Sequence, residues 1–82
     1  MSRITLSIEE MNTMIRAEMR KHEECGRVSL RSVYWHEPDV TGCNWDVDMG
    51  EAADMAEVNA CRERIIDAVR DFRAHYNIVR PD

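Results

Sequence analysis

Glycine and proline are scarce in this chain, three and two residues among 82. So few glycines leave no phosphate-cradling G-x-x-x-x-G-K-[ST] loop and no G-x-G-x-x-G turn, and H-E-x-x-H is missing as well. No apolar run approaches the roughly 18 residues of a membrane-spanning helix. Met1-Ser2-Arg3-Ile4-Thr5-Leu6 also lacks the apolar core of a secretory leader. Cysteine is limited to Cys25, Cys43 and Cys61, spaced 18 and 18 residues apart with no C-x-x-C pair. An odd, widely spaced set argues against a disulfide framework and for half-buried thiols in a cytoplasmic protein. Zinc bound with His22, His36 or His75 is disfavoured, because structural sites usually draw two ligands from one tight turn.

The most telling absence is of positive charge. From Glu37 to Cys61 there is no Lys or Arg, while seven acidic residues fall in that window: Glu37, Asp39, Asp46, Asp48, Glu51, Asp54 and Glu57. Outside it, nine acidic residues face eleven Lys plus Arg, so the net charge of −5 arises in this one stretch. Like charges gathered on one side of a small domain steer cationic partners and repel nucleic acid. Arg16, Arg20, Lys21, Arg27 and Arg31 are the one basic cluster, too modest against that charge to suggest direct DNA or RNA binding.

The apolar pattern predicts two helices flanking a hairpin. Ser7-Ile8-Glu9-Glu10 fits a capping box, with Leu6 and Met11 as its hydrophobic staple. Ile8, Met11, Ile15, Met19 and His22 follow at helical spacing, so a helix is expected from Ile8 to Cys25, stopped by a left-handed Gly26. Ile4-Thr5-Leu6 can add a short strand before it. Val28 to Trp35 reads as a strand of imperfect alternation, with Val28, Leu30 and Tyr34 on one parity and Val33 and Trp35 on the other. After the turn residues Pro38 to Gly42, Cys43, Trp45, Val47 and Met49 alternate with Asn44, Asp46 and Asp48, giving an apolar and a wet face. Asp54 begins a second helix whose stripe is Val58, Cys61, Ile65, Ala68, Val69, Phe72 and Tyr76, with Asn77 as its cap. Its other face, including Glu63, Asp67, Arg70, Asp71 and Arg73, has the composition of a solvated surface. The expected fold is a single α+β domain over 1–82, α-β-β-α, with a small antiparallel sheet covered on one face by both helices.

Gly42-Cys43-Asn44-Trp45 on a strand, followed by a helix carrying Cys61, Ile65 and Tyr76, resembles short uncharacterised proteobacterial proteins of helix, hairpin and helix layout. That resemblance implies a shared fold and no activity. Size and charge also make the chain similar to small accessory proteins of phages and mobile elements, anti-CRISPR inhibitors among them.

The sequence therefore points to a non-enzymatic protein-binding module, an inhibitor or adaptor that needs no cofactor. Its acidic sheet face would engage a basic surface through Asp39, Asp46, Asp48, Glu51, Asp54 and Glu57, with Trp35 placed either in the core or in the contact. The alternative is a metal- or ligand-binding protein using Asp46, Asp48 and Glu51, since two carboxylates on one side of a strand can share a cation. No membrane contact is expected. A hairpin covered on one side leaves strand-edge surface, so a homodimer through the hairpin or the long helix is also expected.

Overall fold

The computed structural model describes residues 3–49 and 54–81. Its elements run β1 (Ile4–Leu6), α1 (Ile8–Met19), a 3-10 turn (Glu23–Cys25), β2 (Ser32–Trp35), β3 (Trp45–Asp48), α2 (Met55–His75) and β4 (Tyr76–Ile78). The chain is α+β, as expected, but its strands form two small sheets in place of one. β2 and β3 pair antiparallel, with Val33 opposite Val47 and Trp35 opposite Trp45. β1 does not extend this hairpin. It pairs in parallel with β4, which joins the two ends of the described chain.

Both helix starts are as the sequence indicates. Ser7 accepts from the Glu10 amide while Glu10 reaches back to the Ser7 amide, so the capping box closes. Asp54 caps α2 by accepting from the Ala56 amide. The ends differ from expectation. α1 stops at Met19, not Cys25, because the chain turns extended at His22 and the 3-10 turn folds back onto α2. Gly26 has φ −61°, so it is no left-handed stop. α2 ends at His75, which moves Tyr76 and Asn77 from the expected helix and cap into β4.

The strands also differ from expectation in two places. Val28 and Leu30 are buried but lie before β2, so the imperfect alternation reflects a strand that starts only at Ser32. Val33, on the parity it shares with Trp35, is 2% exposed and faces the core.

The cysteines give the largest correction. Cys25 and Cys61 form a disulfide across 36 residues of sequence, and Cys43 alone is free and buried. Helix packing brings the pair together, a proximity that spacing along the chain cannot reveal. A buried structural disulfide belongs to oxidising surroundings, so a cytoplasmic location no longer follows from the cysteines. Among the described residues no helix is long and apolar enough to cross a membrane.

One core unites these pieces. Met11, Ile15 and Met19 from α1, Val33, Trp45 and Met49 from the hairpin, Val58 and Ile65 from α2, and Ile78 from β4 are buried together. Trp45 is fully buried at its centre, and its indole N–H donates to the Tyr76 carbonyl at 2.9 Å. Asn44, expected on the wet face, is 9% exposed. Its amide accepts from the Ile78 N–H and donates to the Ile78 carbonyl, both at 2.9 Å, which imitates a strand neighbour and ties the hairpin to β4. This is how a buried amide satisfies two backbone groups at once.

Candidate functional site

The acidic window is built around a tight turn and one arginine. Asp39 Oδ1 accepts from the Thr41 hydroxyl at 2.6 Å, the Thr41 amide at 2.9 Å and the Cys43 amide at 3.3 Å. This is the local bonding for which Asp is favoured in turns. Gly42 follows at φ +87°, in the left-handed region, and Arg3 Nε lies 3.2 Å from where a Cβ would sit. The Thr41 hydroxyl is the main cause holding the Asp39 carboxyl below its usual value; desolvation opposes it, while the two amides and Arg73 add to it.

Arg73, read from the sequence as part of a solvated helix face, occupies the middle of the acidic region. Its guanidinium lies 2.9 Å from Asp39 Oδ2 and 2.8 Å from Asp46 Oδ2, and it donates to the Trp45 carbonyl at 3.0 Å. Arg3 braces the same corner by donating to the Arg73 carbonyl at 2.6 Å and the Thr41 carbonyl at 2.7 Å. Two of the six expected contact carboxylates are thus held by an arginine of the same chain. The sequence signal for Arg73 was weak: a cation in the last turn of a helix also favours the helix dipole wherever it points.

The remaining expected contact residues are dispersed. Asp54 serves as the α2 cap. Glu57 is 3.9 Å from Arg27, a long ion pair. Glu51 lies outside the described residues. Trp35 is half-buried against the core, with the Arg80 guanidinium 4.8 Å from its ring centroid, so it is neither fully core nor an open contact. Among the described residues no group of three or more His, Cys, Asp or Glu is placed to hold a metal.

What the fold does bring together is the outer face of the hairpin. Residues directly opposite in an antiparallel pair share a face. Ser32 and Asp48 therefore sit on one side with Tyr34 and Asp46, away from the face that carries Val33, Trp45 and Val47. Tyr34 is 49% exposed, a large ring standing directly across from Asp46 and diagonal to Asp48. His36 approaches it at 6.2 Å between ring centroids. Tyr34 was absent from the expected contact residues, although its opposite parity to Val33 and Trp35 could have placed it here.

An aromatic ring flanked by carboxylates can take a Lys or Arg side chain, the ring face and the charges acting on the same cation. Comparison with family models, with curated proteins and with solved structures found no match for this chain.

Proposed function

We propose that the chain is a small non-enzymatic protein-binding module, an inhibitor or adaptor, that docks its outer hairpin face on a cationic surface of another protein. The observation that carries this reading is the exposed Tyr34 between Asp46 and Asp48 on the hairpin face opposite the core. Tyrosine anchors interfaces well because it adds a large, rigid, amphipathic surface with little entropy to lose. Asp46 among the surrounding carboxylates is already paired with Arg73, and the chain's net charge of −5 supplies long-range attraction for the approach. Where the target handles nucleic acid, as with inhibitors of the phage-accessory kind, these carboxylates would stand in for phosphates.

Capture of a partner from the native host, followed by binding of the purified pair, tests the proposal. Tyr34→Ala with Asp48→Lys should weaken the complex about tenfold or more, as loss of an anchor does. Glu63→Lys with Ile66→Ala makes the same change of charge on the outer face of α2 and should matter far less. Raising salt from about 50 to 300 mM should slow association more than it speeds dissociation. Equal weakening by both pairs of substitutions would reduce the effect to net charge, and weakening by neither would place the contact elsewhere.

A further inference from the structure

The hairpin has two outer edges, and they are treated differently. The His36 amide donates to the Asn44 carbonyl. With alternation along the register, that bond leaves the peptide groups of Val33, Trp35, Trp45 and Val47 directed outward. On the β2 edge, the Val33 amide donates to Asn12 of α1 at 2.8 Å and its carbonyl accepts from the Ser32 hydroxyl at 2.8 Å. At Val33 that edge is closed. On the β3 edge the Trp45 carbonyl is met by Arg73. The Val47 amide is held only by the carboxylate of its neighbour Asp46, and no described side chain meets the Val47 carbonyl.

This open edge borders a groove of about 360 Å³ between β3 and α2. Ile65, Ile66 and Val69 form its apolar side, with Ile66 42% exposed, and Arg62 and Arg70 stand on its rim. Unlike Arg73, neither of these arginines has a hydrogen bond or ion pair among the described residues. They are eight residues apart on one helix, about 12 Å along its axis. Residues four apart on an extended strand are separated by about 13 Å.

We propose that this groove binds an extended acidic peptide segment of a partner protein, added as a strand at the β3 edge. Two of its acidic residues, four positions apart, pair with Arg62 and Arg70, and an apolar residue midway rests on Ile66 and Val69. Main-chain pairing with Val47 supplies the register, as in other strand-addition complexes, and the Asp46 carboxylate gives up the Val47 amide to the incoming carbonyl. The surface shares Asp46 with the outer hairpin face but not Tyr34, and it is opposite in charge preference.

The probe is a fluorescein-labelled peptide, Thr-Glu-Thr-Leu-Thr-Glu-Thr, titrated with the full chain and followed by anisotropy. Saturable binding is expected, weakened about tenfold or more by Arg62→Glu with Arg70→Glu, as the loss of paired charges would do. Arg62→Gln with Arg70→Gln replaces that variant if circular dichroism shows it misfolded. N-methylating alternate amides of the peptide should abolish binding in one phase and spare it in the other. Tyr34→Ala should leave peptide binding unchanged, which separates this site from the hairpin face. Absence of binding at millimolar peptide, indifference to the arginine substitutions, or equal tolerance of both N-methylation phases would each overturn the proposal. So would laurate binding without peptide binding, or a dimer that the arginine substitutions dissolve, which would give the groove to a small amphiphile or to a second copy.

Discussion

Replacing Cys25 and Cys61 together by Ala is expected to lower the free energy of unfolding by about 4 kcal/mol, the chain-entropy value for a loop of this length. The bond spans 36 residues and anchors the 3-10 turn to α2, where among the described residues the Glu24–Arg64 pair at 2.6 Å is the one other side-chain polar link between the two. A domain of this size has stability at the low end of the usual ~5–15 kcal/mol, so the loss consumes much of it. Guanidinium melts of oxidised protein, reduced protein and the double variant should show the last two together and well below the first. Alkylation of the unfolded, unreduced chain should label one thiol per chain, that of Cys43. Coincident melts, or three labelled thiols, would show that the pair does not form in solution.

Trp45→Ala should be as damaging, about 3–5 kcal/mol, because it empties a fully buried site at the junction of the hairpin, α2 and β4. It also strips the Tyr76 carbonyl of its main donor, leaving the Arg3 contact at 3.4 Å. Trp45→Phe separates the two losses. It keeps most of the apolar volume and removes the N–H, so it should cost less than the Ala variant, with about 1 kcal/mol from the hydrogen bond. Chemical denaturation of the three proteins checks this order. A Trp45→Ala variant as stable as the wild type would mean that the core is not centred where the structure puts it.

How much was legible beforehand follows the range of each interaction. Ser7 with Glu10, Asp54 as the start of α2, and the apolar parity of Cys43, Trp45 and Met49 are local signals, and all are realised. The β1–β4 pairing joins residues more than seventy positions apart, and nothing in Ile4-Thr5-Leu6 names its partner. Shorter separations, of 36 and 34 residues, hid the Cys25–Cys61 bond and the two-sided capture of Ile78 by Asn44. The candidate face was only half readable. Alternation placed Asp46 and Asp48 together, yet the acidic count could not show that Arg73 would pair with Asp39 and Asp46. Nor did it single out Tyr34, since the aromatic richness of β2 drew attention to Trp35, which the fold half-buries.

The central functional claim is that the outer hairpin face is the contact surface, and hydroxyl-radical footprinting reads it most directly. In the free protein Tyr34 should be readily oxidised, while the fully buried Trp45 should be protected. With the captured partner bound, Tyr34 should become protected while the exposed Met55 at the start of α2 keeps its reactivity. Unchanged Tyr34 oxidation in a saturated complex would contradict the account.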